Sequence, residues 1–288
     1  MSGRKPSRTA LATAYLRLAH QWLDARPLIL EDPVVERLLG KNAEERIFGA
    51  TERYQAVGAK ALRSHVVLRS RFAEDCLSAA VKRGVVQYVI LGAGFDTFAL
   101  RQPEWAASLK IFEVDQPGSQ AAKRARIAEA GFEVPNNLTF VEIDFEHESL
   151  LDALQRHNLS LTLPTFFSWL GVTMYLKKTA IDATLRAITA FPAGTELVFT
   201  FLQTEEHLSD GTSASSSQLA QHVADAGEPF VSCFTPEELE TNLRDMGFTG
   251  VKFLSPEEAH ELYYTSRPSD LPVPQRTGIV YASTRRYL

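Results

Sequence analysis

A short apolar run that ends in two glycines most constrains what this chain can fold into. Residues 85–101 read VVQYVILGAGFDTFALR, and Val85–Leu91 has the length and β-branched content of a buried parallel strand. The run ends at Gly92 and Gly94, where the backbone can turn sharply and leave room for a ligand to approach. The sequence therefore predicts a strand followed by a ligand-binding turn.

A second apolar run, Ile111–Val114, ends in Asp115. In nucleotide-binding α/β sheets an acidic residue in this place binds the ribose hydroxyls. The two runs together predict a site for an adenosine-containing cofactor at the carboxyl ends of the first strands. The alternative is a structural glycine turn, because a lone G-x-G pattern is weak by itself.

The residues after the glycines distinguish between cofactors. A dinucleotide site has the pattern G-x-G-x-x-G, so that a helix N-terminus meets a pyrophosphate. Here Thr97 occupies the third glycine position, and Asp96 stands beside it. A carboxylate in this place repels phosphate, which disfavours an NAD-type Rossmann oxidoreductase. S-adenosylmethionine carries a sulfonium, an amino group and a ribose but no phosphate, so the pattern favours it as the cofactor.

Further blocks of sequence extend well beyond the glycine turn. They are PSRTALATAYLRLAHQ (6–21), RSRFAEDCL (69–77), QYVILGAGFDTFALR (87–101), FEVDQPGSQAAKRARI (112–127), FVEIDFE (140–146), FFSWLGVTMYL (166–176) and the tail 230–264. In this order they resemble the bacterial S-adenosylmethionine-dependent methyltransferases related to leucine carboxyl methyltransferases. The eukaryotic leucine carboxyl enzymes carry Glu where this chain has Leu170, so their substrate, a protein C-terminal leucine, is not carried over.

The order of strand and helix signals predicts a doubly wound α/β fold. The resemblance implies the class I methyltransferase form of it, a mostly parallel sheet of seven strands with the last strand reversed, plus an N-terminal helical lid. No strong helix pattern follows the sixth strand, and we expect the last two strands to pair antiparallel. The expected strands are Val85–Leu91, Lys110–Val114, Leu138–Ile143, Thr165–Trp169, Glu196–Phe201, Phe248–Leu254 and Gly278–Ala282.

We expect residues 1–288 to form a single methyltransferase domain. Its parts are an N-terminal helical cap (1–82), a cofactor-binding core (83–203), and a region with an insertion loop, helices and the final strand pair (204–288). The polar stretch LSDGTSASSS at 208–217 is either a disordered surface loop or the hinge of a lid over the substrate.

Composition excludes several classes of function. The net charge is −5 and no long basic run is present, which argues against a nucleic-acid partner. Two cysteines, Cys76 and Cys233, are too few for a disulfide framework, and the histidines lack metal-ligand spacing, so no metal is expected. No stretch reaches the length of a membrane span and the N-terminus lacks a signal-peptide core, so we expect a cytoplasmic protein without a membrane partner.

Helical periodicity distinguishes two neighbouring arginines. A helix predicted over Leu62–Val81 carries Arg69 within its apolar face, whereas Arg71 falls on the opposite face beside Ser64 and can pair with Asp75. A buried cation needs a partner, so Arg69 either forms a structural ion pair or binds a ligand carboxylate. The resemblance implies an arginine here for the methionine carboxylate of the cofactor. The apolar face consists of Leu62, Val66, Ala73, Cys76 and Ala80.

Arg8 has a comparable position near the N-terminus. It continues an apolar helical stripe into the first turn of a helix that Ser7 can cap. Arg8 either meets the carboxylate of the cofactor or of the acceptor, or is an exposed residue of the first turn. The stripe consists of Leu11, Tyr15, Leu18 and Trp22.

The end of the third strand supplies two further candidates, Asp144 and Phe145. The resemblance implies that the acid accepts a hydrogen bond from the adenine amino group and that the aromatic ring contacts the adenine plane. Strand ends in this fold face the ligand crevice, which favours this function. The alternative is an ordinary strand-end aspartate that caps the following helix.

The segment after the fourth strand is where the acceptor usually meets the methyl group. Gly171 allows close approach, and Tyr175 offers a hydroxyl donor near a substrate oxygen, so we predict Tyr175 as the catalytic residue. Trp169 is expected to form an apolar wall of the acceptor site. A carboxylate acceptor is already ionised at neutral pH and needs alignment and donors but no general base. We therefore predict an O-methyltransferase acting on a carboxylate of a small molecule; a cofactor-binding protein without turnover is the non-enzymatic alternative.

Overall fold

A seven-stranded sheet runs through the centre of the part of the chain that the structure describes, residues 7–204 and 228–285. In this computed structural model the strands are β1 (Gln87–Leu91), β2 (Lys110–Asp115), β3 (Leu138–Glu142), β4 (Thr165–Trp169), β5 (Glu196–Thr200), β6 (Gly250–Phe253) and β7 (Ile279–Ser283). Their order across the sheet is β3-β2-β1-β4-β5-β7-β6.

The first five strands are parallel and the last strand in the chain is reversed. Strand β7 inserts between β5 and β6 and is antiparallel to both, so that Val280 stands opposite Phe199 on one side and Phe253 on the other. The doubly wound topology and the antiparallel final pair predicted from the sequence are confirmed. Because the parallel strands share one direction, their carboxyl ends meet at one edge, where this fold binds ligands.

Ten helices accompany the strands within the described ranges. Five precede the sheet, which confirms the predicted N-terminal helical region, and the Ser7 hydroxyl caps the first by accepting from the Ala10 N–H at 3.0 Å. The helices are α1 (Arg8–Leu23), α2 (Val35–Leu39), α3 (Ala43–Phe48), α4 (Thr51–Gln55), α5 (Val57–Lys82), α6 (Pro117–Glu129), α7 (Leu150–Arg156), α8 (Lys178–Thr189), α9 (Pro236–Asp245) and α10 (Pro256–Tyr263).

Three details of the predicted helices are wrong. Helix α5 starts at Val57 rather than Leu62, and Ser64 is fully buried instead of lying on the solvent face, because it bonds to the Tyr264 hydroxyl at 2.6 Å. A helix, α10, does follow β6. Its start is a capping pattern in which the Ser255 hydroxyl accepts from the backbone N–H of Glu258 at 3.1 Å.

The core lies on both faces of the sheet because alternate residues of a strand point to opposite sides. Along β1, Val89 and Leu91 contribute to the cluster on one face, whereas Tyr88 and Ile90 contribute to the other. All five residues of β1 are buried. This two-sided burial explains why the strand reads as a continuous apolar run.

A buried aspartate in the loop after α1 connects the N-terminal helices to the rest of the fold. The Asp32 side chain is 0% exposed and accepts from Arg17 Nε at 3.0 Å. It also accepts from the Thr97 hydroxyl at 2.7 Å and from the Val35 N–H at 3.2 Å. Arg101 lies at 3.7 Å from the same carboxylate. The loop after β1 is therefore bonded directly to the segment between α1 and α2.

The predicted polar loop at 208–217 lies outside the described residues. None of the helices in the described ranges is long and apolar enough to cross a membrane. Both cysteines are free and partly buried, and burial raises the pKa of the Cys76 thiol to about 12.

Asp32→Ala should lower the free energy of unfolding by about 3–5 kcal/mol, because it leaves the buried Arg17 without its carboxylate. Urea denaturation followed by circular dichroism measures the change. The matched control is Glu31→Ala, which removes an ion pair with Arg26 whose side chains are 71% and 72% exposed. The control should leave the unfolding midpoint nearly unchanged, since exposed ion pairs contribute little. Equal effects in the two variants would contradict the structural role of Asp32.

Candidate active site

The turn after β1 depends on glycine at two positions. Gly92 and Gly94 have φ of +65° and +48°, in the left-handed region. A Cβ at Gly92 would lie 2.3 Å from Cγ2 of Val172, and a Cβ at Gly94 would lie 3.1 Å from Cβ of Ala10. The glycines thus allow the loop after β4 and the first turn of α1 to pack closely on this turn.

The acid at the end of β2 faces the same turn. One oxygen of Asp115 accepts from the Gly94 N–H at 2.5 Å, and the other accepts from the Gln116 N–H at 2.7 Å. The residue is 9% exposed. Burial raises the pKa of Asp115, while the two backbone hydrogen bonds oppose this shift. Each oxygen has accepted a single hydrogen bond and keeps a lone pair for a further donor.

Two other carboxylates lie near this edge. Asp96 is half-buried and accepts from the Phe98 N–H at 2.8 Å. Glu113, two residues before Asp115 on the same face of β2, pairs with Lys123 at 2.5 Å, and both side chains are 1% exposed. Burial raises the pKa of Glu113 to about 7, although Lys123 opposes this shift. Glu113 is therefore a buried residue that supports the site through its ion pair with Lys123.

Arg69 reaches the same edge from α5. A Cβ at Gly171, whose φ is +73°, would lie 2.6 Å from both Nη atoms of Arg69, so glycine is needed for this contact. Within the described ranges Arg69 forms neither a hydrogen bond nor an ion pair. Burial lowers the pKa of Arg69 to about 10, which leaves it charged at neutral pH.

The neighbouring arginine behaves as the helical phase predicts. Arg71 is exposed and pairs with Asp75 at 3.0 Å, one turn further along α5. The contrast between Arg69 and Arg71 follows from the 100° rotation per helical residue, which turns residues two apart to different sides. The predicted surface ion pair is confirmed.

Tyr175 lies where α1, the β4 loop and the segment at 228–230 meet. Its ring centroid lies 5.7 Å from that of Phe230. Burial raises the pKa of Tyr175, and a hydrogen bond to Thr9 opposes that shift. Thr9 also donates to the carboxylate of Glu228 through its hydroxyl and, at 3.4 Å, through its N–H. The sequence analysis missed Thr9, Glu228 and Phe230, because no local pattern indicates a contact across this separation.

His65, one of the histidines without metal-ligand spacing, lies near Arg69. Its Nε2 lies 2.7 Å from the carbonyl oxygen of Thr277, which makes that nitrogen the donor. Burial, and secondly the charge of Arg69, lower the pKa of His65 to about 4. The imidazole is therefore neutral at physiological pH.

The remaining predicted residues occupy different surroundings. Asp144 is half-buried, accepts from the Glu146 N–H at 3.1 Å and pairs with His147 at 3.1 Å. Phe145 is 9% exposed, and its ring centroid lies 6.2 Å from that of Trp169. Trp169 is fully buried in the core, so the structure does not bring it to the open surface of the site. Arg8 is exposed, without an ion pair among the described residues.

No group of three or more His, Cys, Asp and Glu side chains in the described ranges could hold a metal ion. The strand order, the glycine turn and the acidic end of β2 instead define a class I S-adenosylmethionine-dependent methyltransferase. A solved structure of a Thermobifida fusca YX protein named as a methyltransferase has the same fold, with a TM-score of 0.59, 18% identity, and coverage of 98% of this chain and 96% of that one. A DUF574 family protein of Streptomyces avermitilis MA-4680 gives a TM-score of 0.59 at 19% identity, covering 87% and 94% of the two chains.

Sequence comparison then identifies the family. Residues 10–189 match the leucine carboxyl methyltransferase family. This chain is 30% identical to YktD of Bacillus subtilis (strain 168) over an alignment 303 residues long, gaps included. The alignment covers 98% of this chain and 99% of YktD, whose name assigns it to the S-adenosyl-L-methionine-dependent methyltransferases. A Mycolicibacterium paratuberculosis protein with the same assignment is 35% identical over 161 residues, which cover 56% of this chain and 50% of that protein. The chain belongs to the leucine carboxyl methyltransferase family and is an S-adenosylmethionine-dependent methyltransferase.

Gly92→Ala should lower the free energy of unfolding by more than the roughly 1–3 kcal/mol of backbone strain, because its methyl group collides with Val172. Gly84→Ala is the matched control, since Gly84 also has a positive φ, +98°, but nothing lies within 4 Å of a Cβ there. Combining Gly92→Ala with Val172→Ala should recover part of the loss, which denaturant titration of the double-mutant cycle measures. Additive losses in the cycle would show that the collision is not the cause.

Proposed function

We propose that this enzyme is an O-methyltransferase that methylates a carboxylate of a small molecule. The observation that carries the proposal is the kind of group at the β4 loop: the hydroxyl of Tyr175, and the guanidinium of Arg69, which packs against Gly171. Burial raises the pKa of Tyr175 and lowers that of His65 to about 4 and that of Arg69 to about 10. At neutral pH these groups are a hydroxyl donor, a neutral imidazole and a cation. None of them has a pKa near neutrality, as the base for a hydroxyl acceptor would.

The residues at this edge fit S-adenosylmethionine. Asp115 has lone pairs available for the ribose hydroxyls, and the guanidinium of Arg69, which has no partner among the described residues, can bind the methionine carboxylate. The carboxylate of Asp96 suits the cationic end of this cofactor better than a phosphate. The carboxylate of Asp144 would accept a hydrogen bond from the adenine amino group, and the ring of Phe145 would contact the adenine plane. When bound, the cofactor supplies an electrophilic methyl carbon on a sulfonium.

The acceptor would be held by the groups that meet above the β4 loop. Tyr175 would exchange its hydrogen bond with Thr9 for one to the acceptor, donating its hydroxyl hydrogen to one carboxylate oxygen and so fixing the other oxygen for attack. Arg8, the residue before Thr9, would add positive charge from the first turn of α1. No side chain has to remove a proton, because a carboxylate is ionised at neutral pH. Alignment and exclusion of water are then the main contributions of the protein.

Two further features support this acceptor chemistry. The family to which the chain belongs is named for the methylation of a leucine carboxyl group. The glutamate of the eukaryotic enzymes is replaced here by Leu170. This leucine is partly buried and packs on the core beside α5. This difference favours a small-molecule acceptor over a protein C-terminus.

Arg69→Ala should weaken the affinity for S-adenosylhomocysteine about ten- to a hundredfold, which corresponds to about 1.5–3 kcal/mol for a hydrogen bond to a charged group. Arg71→Ala should leave that affinity unchanged, because its side chain is engaged with Asp75 on the surface. Isothermal titration calorimetry measures both. Methylthioadenosine, which lacks the amino-acid end of the cofactor, should bind the wild type and Arg69→Ala nearly equally.

A second variant tests the same contact without removing the charge. Gly171→Ala should displace the Arg69 guanidinium and weaken the affinity for S-adenosylhomocysteine, while Gly84→Ala carries comparable backbone strain and should not. Equal losses of affinity in Arg69→Ala and Arg71→Ala, or an unchanged affinity in Gly171→Ala, would reject the assignment of Arg69.

The rate at saturating substrates, with methyl transfer rate-limiting, should be nearly flat between about pH 6 and 8.5, because an ordinary carboxylate acceptor titrates near pH 4. His65, with a pKa of about 4, and Arg69, with a pKa of about 10, do not titrate in this window. Glu113, whose pKa burial raises to about 7, is held in a buried pair with Lys123 and is assigned no contact with either substrate. Tyr175→Phe should lower the rate roughly ten- to a hundredfold without changing the shape of the profile, since it removes one orienting hydrogen bond. Acceptor-dependent formation of S-adenosylhomocysteine is the measurement.

A rate that rises tenfold per pH unit through neutrality would reject a carboxylate acceptor. It would show that the nucleophile loses a proton before it attacks, as a hydroxyl or an amine must. A library of metabolites assayed with a labelled methyl donor would identify the acceptor in either case.

A further inference from the structure

A cleft on the outer side of the N-terminal helices concentrates positive charge. It lies between α1, the α2–α3 turn and α6, and has a volume of about 600 Å³, within the range of small-molecule sites. Lys41, Arg46 and Arg126 line it, together with a single carboxylate, Glu45. Two positive charges are therefore uncompensated here, on a protein whose net charge is −5.

The three cations have no carboxylate partner. Within the described ranges none of Lys41, Arg46 and Arg126 forms an ion pair. Other cations of the described residues do have carboxylate partners, such as Arg63 with Asp24 at 2.6 Å and Arg83 with Glu196 at 2.6 Å. The positive charge of the cleft is therefore not neutralised by an ion pair among the described residues.

The two guanidinium groups are held in place by neutral partners. Arg46 donates from Nη1 to the Tyr15 hydroxyl at 3.1 Å, and its Cζ lies 5.1 Å from the centroid of the Tyr15 ring. Arg126 donates from Nη1 to the carbonyl oxygen of Leu39 at 2.8 Å. Neutral partners orient a guanidinium without neutralising it, and its other N–H donors stay available for an anion. Such preorganisation lowers the entropic cost of binding.

From this cleft we infer a second ligand site, which binds a phosphorylated small molecule through its phosphate or pyrophosphate group. A phosphate monoester carries close to two negative charges at neutral pH, which matches the two uncompensated positive charges of the cleft. Its three acceptor oxygens can bind the N–H donors of the Arg46 and Arg126 guanidinium groups. A single carboxylate carries one charge and leaves the cleft positive. The cleft has room for a larger molecule that carries the phosphate.

The site is separate from the edge that binds the cofactor. Arg126 lies 5.7 Å from the centroid of the Phe95 ring, and that ring is buried in the cluster between α1, α2 and α6. The residues that line the cleft include none of those assigned to the cofactor or the acceptor. The inference does not depend on the identity of the methyl acceptor.

Calorimetric titration with inorganic pyrophosphate at low ionic strength tests the site on the intact protein. The combination of Lys41→Gln and Arg46→Gln should weaken pyrophosphate binding at least tenfold, because both side chains are exposed and line the cleft. The combination of Lys82→Gln and Arg186→Gln is the matched control: it removes the same charge from exposed cations outside the cleft and should leave the affinity unchanged. Binding of S-adenosylhomocysteine should be equal in all three proteins.

Further titrations distinguish the ligand class. Pyrophosphate should bind more tightly than inorganic phosphate or citrate, and saturation with S-adenosylhomocysteine should not displace it. The proposal is overturned by any of three results: no heat of binding in the wild type, equal weakening in the two charge variants, or displacement by S-adenosylhomocysteine. Citrate binding as tight as pyrophosphate binding would overturn the phosphate class.

Discussion

The carboxylate of Asp32 is the interaction on which the arrangement of the site depends. It lies between α1 and α2, and it receives hydrogen bonds from Arg17 on α1 and from Thr97 in the loop after β1. A charge with 0% exposure is costly to bury unless its partners satisfy it. Because those partners belong to separate segments, satisfying Asp32 fixes α1 against the glycine turn. The N-terminal helices are thereby part of the cofactor edge.

Close backbone packing completes this edge. The turn after β1 accepts Val172 from the β4 loop and Ala10 from α1, and the β4 loop in turn accepts the guanidinium of Arg69 from α5. Each contact needs a glycine at the point of approach, with a positive φ that other residues adopt with strain. The same packing gives Arg69 its position without an anionic partner among the described residues, and a desolvated cation of this kind suits a ligand carboxylate.

Much of the fold could be predicted because its signals are local. The β-branched runs predicted all seven strands to within two residues at their ends, and the alternation of strands with helices predicted the topology. The phase of α5 separated Arg69 from Arg71 correctly. The same phase failed for Ser64, because the tail of the chain, through Tyr264, covers that side of the helix. Amphipathic periodicity indicates which face of a helix is apolar. It does not indicate which distant segment packs over a polar residue such as Ser64.

For this protein the sequence alone determined the class of fold, the cofactor and the residues at the strand ends, since these follow from local composition and from motif spacing along the chain. Only the tertiary structure decided which groups share one space. It brought Thr9 to Glu228, placed Trp169 in the core and left Arg69 without a partner among the residues at 7–204 and 228–285. It also gathered Lys41, Arg46 and Arg126 around one cleft. The physical reason is that burial, desolvation and pairing of charges depend on distances between segments remote in sequence, which chain folding sets and no local pattern encodes.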